Sequence, residues 1–150
     1  MLAALAGVGG YIFWALNGGL VRDGNWVGVD FHVYYQAAQA LRRGEDIYSA
    51  SISPPYVYPP TLAVLVAPLS FLPANTATML WKLAQHVCLL ISGGLLVSLV
   101  PPRARAMLAA IFCLGLLTAP VHDEIMTGES NSLVLVLVVA AVWLVSRQEK

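Results

Sequence analysis

Residues 83–102 have the sequence LAQHVCLLISGGLLVSLVPP, an uncharged run that ends in a pair of prolines. A helix that crosses the hydrocarbon core of a bilayer needs about 20 predominantly apolar residues. Such a helix satisfies its own backbone hydrogen bonds, as a medium without water requires. The run therefore predicts a transmembrane helix.

The composition of the whole chain is typical of the same class of protein. The chain has 150 residues, of which 59% are hydrophobic and 11% are charged, and its formal net charge is zero. A soluble domain usually carries about 25% charged residues, so this chain cannot cover a compact globule with a solvated surface. The zero net charge excludes a basic nucleic-acid-binding module, because no excess of Lys and Arg is available to neutralise phosphates.

The charged side chains are clustered, and the uncharged gaps between the clusters predict where the chain crosses the membrane. These gaps are 1–21, 47–81, 83–102, 106–122 and 130–146. They predict four transmembrane helices, near 1–19, 75–99, 106–121 and 131–146. The gap 47–81 contains six prolines, which break helices, so its apolar part 61–72 predicts a short re-entrant or interfacial helix. The predicted fold class is an all-α polytopic membrane protein.

The charges in the loops orient these helices. Segment 101–106 holds two arginines and no acid, whereas segment 122–130 holds three acids and neither Lys nor Arg. Because Lys and Arg are enriched in cytoplasmic loops, 101–106 is predicted to lie inside, together with Arg147 and Lys150. The outer loop 20–74 and segment 122–130 are therefore predicted to share the extracytoplasmic face of a multi-pass protein in the cell membrane.

Residues 29–43 predict an amphipathic helix that lies flat on the outer membrane surface. Apolar side chains recur at helical spacing from Phe31 to Leu41, and Gly44 suits the position after the helix end. Asp30 has two interpretations. It is a residue type that often caps a helix N-terminus, or it is a carboxylate placed to act as a catalytic base toward a sugar hydroxyl.

Three further side chains, one in this helix and two later in the chain, also have a structural and a functional interpretation. His32 is either solvated or assists Asp30. Tyr58 belongs to the sequence YVYPP at 56–60, which either stiffens a loop or forms the wall of a carbohydrate or lipid pocket. Lys82 either extends to the lipid headgroups or meets a phosphate of a lipid-linked substrate, because an ionisable group within a span is a functional hypothesis by default.

The polar segment 122–131, HDEIMTGESN, lies between two predicted spans. Its acids are either the solvated cap of a helical hairpin or ligands for a substrate or metal. Three carboxylates and a histidine are enough for a hard divalent cation, but their spacing matches no specific metal motif. A divalent metal is therefore possible, and no other cofactor is predicted.

An ordered set of short motifs points to a known family. The set consists of DFHVYYQAA from Asp30, then Gly44, Tyr48, YVYPP at 56–60, APL at 67–69, LP at 72–73 and Trp81. It resembles the N-terminal part of glycosyltransferase family 87, polytopic mannosyltransferase-like enzymes of the GT-C superfamily. The sequence TGESNSL at 127–133 is similar to that family's Gly-Gln-x-Asn-x-Leu motif, with Glu129 in place of the usual glutamine. Residues 1–150 would then form the N-terminal portion of a GT-C-like membrane domain.

The resemblance implies an extracytoplasmic active site and an inverting transfer. The donor would be a polyprenyl-phosphate sugar, with a hexose such as mannose, and the acceptor a glycolipid or glycan. In such enzymes an acid in the first outer loop is the general base, and Asp30 matches that position, which favours catalysis over capping. The candidate substrate-binding residues are His32, Tyr34, Tyr35, Tyr58, Lys82, Glu129 and Asn131. By position, Arg42, Arg43 and Lys82 could also stabilise the charged leaving group.

Two other hypotheses accompany this one. A small four-span transporter subunit or membrane scaffold without catalysis would have polar residues along its spans, whereas here nearly all ionisable groups lie outside them. The chain is also expected to be a piece of a longer enzyme, because members of the resembled family are usually much longer. An isolated piece would then have no activity of its own.

Overall fold

The computed structural model describes residues 28–49 and 51–148, and within them the regular structure is entirely helical. The helices are α1 Val29–Arg43, α2 Pro60–Val66, a 3-10 helix Ala67–Phe71, α3 Ala74–Leu99, α4 Pro102–Gly115, α5 Ala119–Thr127 and α6 Asn131–Gln148. The predicted all-α polytopic fold is confirmed. The predicted span near 1–19 lies outside the described residues.

Helix α1 has the predicted bounds but not the predicted N-terminal cap. Its N-cap is Gly28, which adopts a left-handed conformation with φ of 77° and provides no side-chain cap. The interpretation of Asp30 as the cap is therefore wrong. Asp30 lies inside the first turn, where a carboxylate is favoured by the helix dipole. At the other end Gly44 has φ of 70°, and its amide bonds to carbonyls of the last turn, as predicted.

The apolar face of α1 is buried inside the protein. Its buried side chains include Phe31, Tyr34 and Tyr35, which belong to one core with residues of α2 and the start of α3. The expectation that this face lies on the membrane surface is therefore wrong, because the chain's own helices cover it. At the C-terminal end the Arg42 guanidinium stacks over the Phe71 ring at 3.5 Å and donates a hydrogen bond to the Ser70 carbonyl at 2.7 Å.

The short helical segment predicted near 61–72 is present as α2 and the 3-10 helix. Pro60 stands in the first turn of α2, where its missing amide costs no helical hydrogen bond. Leu72 is extended and precedes Pro73, the N-cap of α3. A residue before proline is biased away from helical geometry, so the segment ends here and α3 begins separately.

Helices α3 and α6 are each long and apolar enough to cross a membrane, which confirms two of the predicted spans as helices of the right length. Helix α3 has 26 residues, so it is about 39 Å long at 1.5 Å per residue. The two helices pack side by side, and the indole N–H of Trp143 in α6 donates to the hydroxyl of Ser98 in α3 at 2.9 Å. Gly93 of α3 lets the Phe112 ring of α4 approach the backbone closely, because a Cβ there would lie 2.5 Å from the ring.

The predicted third span, 106–121, is not a single helix. Helix α4 begins earlier, at Pro102, and ends at Gly115, and α5 continues after a break with a bend of 57°. The cause is Pro120, whose ring would clash with the carbonyl of Leu116 if α4 continued, but which is harmless in the first turn of α5. Together α4 and α5 are apolar enough for one broken span or a re-entrant loop.

The polar segments between the helices lie at the two opposite ends of α3. Gly28 and the segment after α5 contact the N-terminal part of α3, through Thr78, Trp81 and Gln85. The turn between α3 and α4 lies at the opposite end of α3, near the C-terminal part of α6. The outer loop 20–74 and segment 122–130 were predicted to share one face, and segment 122–130 and the described part of the loop, 28–74, lie at the same end of α3.

Candidate active site

The start of α1 is joined directly to the end of α5. The Gly28 amide donates a hydrogen bond to the Met126 carbonyl at 2.7 Å. Gly128, which follows α5, has φ of 80°, and a Cβ on it would lie 2.8 Å from the Cβ of Phe31. Only a glycine allows this backbone conformation together with so close an approach. The segment that follows α5 is therefore held against the helix that carries Asp30.

Trp81 of α3 lies between these two parts of the site. Its ring stacks on Phe31 with 5.3 Å between centroids, and it meets Tyr34 edge-on at 5.9 Å. Its indole N–H donates to the Gly128 carbonyl at 2.8 Å. One turn further along α3, the side-chain amide of Gln85 donates to the Glu129 carbonyl. Both α3 side chains are buried.

Tyr34 lies one turn after Asp30 in α1 and packs against the aromatic side chains of the site. Its side chain is fully buried, and its ring meets Tyr58 edge-on at 4.8 Å. Burial is the main cause that raises the pKa of the Tyr34 hydroxyl, and the neighbouring Tyr58 and the Asp30 charge raise it further, while Ser130 lowers it. The hydroxyl is close to these groups but forms no hydrogen bond of good geometry with them. Tyr58 and Ser130 thus lie beside one buried phenol, and the charge of Asp30, one turn earlier in α1, acts on it.

Asp30 itself is partly exposed in the first turn of α1, so its carboxylate can be reached from outside the protein. His32 is exposed and shares a hydrogen bond with the side chain of Gln36 at 2.9 Å. A carboxylate that is accessible and flanked by aromatic side chains can accept a proton from a bound hydroxyl. The arrangement is compatible with the catalytic interpretation of Asp30.

The remaining candidate residues are placed differently from one another. The Tyr35 hydroxyl donates to the Leu72 carbonyl at 2.7 Å, so it fixes the connection before α3. Lys82 is wholly buried in the protein rather than extended toward a headgroup region. The Asn131 amide donates to the Glu129 carboxylate. Glu129 and Asn131 therefore belong to the segment whose backbone carbonyls accept hydrogen bonds from Trp81 and Gln85.

The two arginines considered for the leaving group lie away from this cluster. Arg42 is engaged with Phe71 and Ser70 at the C-terminal end of α1. Arg43 pairs with Glu45 at 2.8 Å on an exposed surface. Neither guanidinium contacts Asp30 or the segment after α5 in these interactions.

The acids of segment 122–131 do not converge on one point. Glu124 accepts a hydrogen bond from the Ser132 amide at 2.7 Å and so caps the start of α6, while Asp123 is exposed. Glu129 is bonded to Asn131 instead. Within residues 28–49 and 51–148, no three His, Cys, Asp or Glu side chains are grouped so that they could hold a metal ion.

Sequence reasoning missed several residues of the site. Trp81 was noticed only as part of a motif, and Gln85, Ser130 and the capping role of Glu124 were not identified. Their roles depend on contacts between residues 39 to 47 positions apart for the α3 side chains, so no local pattern reveals them. A buried Gln one turn after a Trp on an apolar helix is the signal that was available, because such polar groups need partners.

These features define a multi-pass α-helical membrane protein with aromatic and polar side chains gathered at one end of its helices. Residues 56–150 match glycosyltransferase family 87. The match covers more than half of the chain, and the protein belongs to this family. Membership favours a glycosyltransferase over a transporter subunit or scaffold. The matched region begins after Asp30, so it does not include the candidate base.

The curated relatives that the chain matches are also glycosyltransferases. The chain is 29% identical over 126 residues to an alpha-(1->3)-arabinofuranosyltransferase of Mycobacterium tuberculosis, found in two strains. The similarity covers 79% of this chain and 28% of the relative. The chain thus spans little more than a quarter of the length of the curated relatives it matches. No solved structure matches it.

Proposed function

We propose that the protein is the part of a membrane glycosyltransferase that carries the general base. The enzyme transfers a glycosyl group from a polyprenyl-phosphate sugar to a glycolipid or glycan acceptor on the extracytoplasmic face. The observation that carries the proposal is the position of Asp30 in a family 87 chain: Asp30 is partly exposed in the first turn of α1, and the next residue, Phe31, packs against Gly128.

The proposed reaction is a single displacement with inversion. The Asp30 carboxylate removes the proton of the acceptor hydroxyl while the hydroxyl oxygen attacks the anomeric carbon of the donor. The bond between that carbon and the phosphate oxygen breaks, and the polyprenyl phosphate leaves with the electron pair. A base in the first turn of a helix that is packed against the rest of the site has a fixed position, which such a reaction requires.

The identity of the sugar has two candidates. The resemblance of the sequence motifs implies a hexose, mannose in the first instance. The name of the Mycobacterium tuberculosis relative favours an arabinofuranosyl donor. We therefore include both sugars in the test, and we propose the polyprenyl-phosphate carrier for either.

The proposed binding residues form two groups that differ in exposure. His32 and Asn131 are exposed, and Tyr58 is partly buried beside Tyr34, so we propose that these side chains contact sugar hydroxyls. Tyr34, Tyr35, Lys82 and Glu129 are buried or bonded within the protein, and we propose that they act by shaping the site from behind.

The test is Asp30→Asn in the full-length protein, reconstituted in liposomes with polyprenyl-phosphate mannose or polyprenyl-phosphate arabinofuranose. Loss of the base is expected to lower kcat by about 100-fold or more for the true donor. Membrane insertion and thermal unfolding should stay the same. Asp46→Asn is the matched control, because Asp46 is an exposed acid outside the site. Undiminished turnover of Asp30→Asn would exclude Asp30 as the base.

A further inference from the structure

Two side chains of α3 hold the segment between α5 and α6 by its backbone. The indole N–H of Trp81 donates to the Gly128 carbonyl at 2.8 Å, and the amide of Gln85 donates to the carbonyl of the next residue, Glu129. The donors are four positions apart, so they lie on the same face of the helix. The two donors bind two successive carbonyls of the segment that follows α5.

Trp81 contacts the opposite part of the site at the same time. Its ring stacks on Phe31, the residue after Asp30, and meets Tyr34, which lies one turn after Asp30 in α1. Phe31 also lies against the backbone of Gly128. One buried indole therefore touches both the helix that carries Asp30 and the segment that carries Ser130 and Asn131.

Hydrophobic packing alone does not account for these residue types. A Leu and a Phe at these positions of an apolar helix would fill space without burying polar atoms. Gln85 instead is fully buried, and its carbonyl oxygen has no hydrogen-bond partner in the described part of the chain. Such an unsatisfied buried atom is unusual in a native structure and needs an explanation. Here the explanation is the amide nitrogen, whose bond fixes the position of Glu129.

We propose that Trp81 and Gln85 are positioning residues for glycosyl transfer. They fix the Gly128–Asn131 segment in register with the first turn of α1, so that Asn131 and Ser130 face the same substrate hydroxyls as Asp30. This inference rests on the proposed function, because it assumes that Asp30 is the base. It adds that the geometry of the site is determined from a neighbouring membrane helix.

The test compares Trp81→Phe and Gln85→Met in the full-length protein in liposomes, with the donor that the wild type uses. Trp81→Phe keeps an aromatic ring but removes the indole donor. If the residues position the site, kcat falls about 10-fold to 100-fold in each variant, while KM for both substrates changes by less than about twofold. The control is Trp143→Phe, which removes an indole donor to Ser98 at the opposite end of α3 and should retain the kcat of the wild type.

A distance measurement separates positioning from simple loss of stability. Spin labels are placed at the exposed residues Leu41 of α1 and Asp123 of α5, after replacement of Cys88 and Cys113 by Ala. The distance distribution should be narrow in the wild type and in Trp143→Phe, and broad in Trp81→Phe. An unchanged distribution, or wild-type kcat in both α3 variants, would overturn the proposal.

The outcome also distinguishes this inference from the proposed function. If Asp30→Asn is inactive while both α3 variants are fully active, only the positioning role is excluded. If Asp30→Asn is active, the assignment of the base is excluded, and the spin labels still decide whether Trp81 holds the two segments together.

Discussion

Tyr34 combines aromatic packing in the core of the site with a buried hydroxyl group. Its ring is sandwiched among aromatic neighbours, and its hydroxyl is buried without a well-formed hydrogen bond. A buried hydroxyl that lacks a partner costs free energy compared with a group of the same shape that is apolar. The stability of the fold alone therefore does not explain why position 34 has a tyrosine hydroxyl instead of a phenylalanine.

We expect Tyr34→Phe to leave the free energy of unfolding at neutral pH within about 1 kcal/mol of the wild type, because no good hydrogen bond is lost. The alkaline range should differ. The pKa of Tyr34 in the folded protein lies above the usual 10.0 because of burial. Above about pH 10 the unfolded chain ionises first, so the stability that is fully present below this pH is lost as pH rises. Tyr34→Phe should lose less stability there.

The measurement is thermal unfolding of the purified protein in detergent between about pH 8 and about pH 11. The wild type and Tyr34→Phe should unfold at nearly the same temperature at the lower pH and diverge at the higher one. A strong loss of stability in Tyr34→Phe already at the lower pH would mean that the hydroxyl has a bonding partner in the folded state.

At the scale of the secondary structure, two glycines test how closely α1 and the end of α5 must approach. Gly128 and Gly44 both have left-handed conformations, with φ of 80° and 70°. Around Gly44 there is open space, whereas a Cβ on Gly128 would lie 2.8 Å from Phe31. An alanine at either position would adopt the same unfavourable backbone conformation, but only at the buried Gly128 would its Cβ also clash.

We expect Gly44→Ala to destabilise the fold by about 1–2 kcal/mol, the cost of a left-handed non-glycine residue. Gly128→Ala should cost about 1–3 kcal/mol more, because α1 and the segment after α5 must move apart. Denaturant unfolding of both variants under the same detergent conditions measures the difference. Equal losses would show that the contact between Gly128 and Phe31 contributes nothing to stability.

The helices show which parts of the fold a sequence can predict. The bounds of α1 and the positions of α3 and α6 follow from apolar runs and end signals that are local. The break between α4 and α5 does not follow from the gaps between charges, because it is caused by Pro120, which is uncharged. The true N-cap, Gly28, was missed for another reason: its left-handed turn meets Met126, almost a hundred positions away.

The candidate site divides in the same way. Asp30 could be proposed as the base from its residue type and from the resemblance of the flanking motif. The contacts of Trp81 and Gln85 could not, because they form only when α3 packs against the segment after α5. A hydrogen bond to a backbone carbonyl carries no signature in the acceptor's sequence, so this part of the site needed the three-dimensional structure.

At the scale of the whole molecule, the two ends of α3 differ in charge. One end carries the segment with Asp30 and the acids of 122–130, and the other carries Arg103 and Arg105. These ends are about 39 Å apart along the helix, which exceeds the hydrocarbon thickness of about 30 Å. Because Lys and Arg are retained on the cytoplasmic side, the arginine end should be inside and the candidate active site outside.

Cysteine labelling of intact cells tests this orientation. In a background with Cys88 and Cys113 replaced by Ala, Ser51→Cys and Asp123→Cys place a thiol at exposed positions of the predicted outer end, and Arg105→Cys places one at the predicted inner end. A maleimide that cannot cross membranes should label the first two in intact cells and the third only after permeabilisation. Labelling of Arg105→Cys alone in intact cells would reverse the orientation. Asp30 would then face the cytoplasm, and the acceptor would have to be sought there.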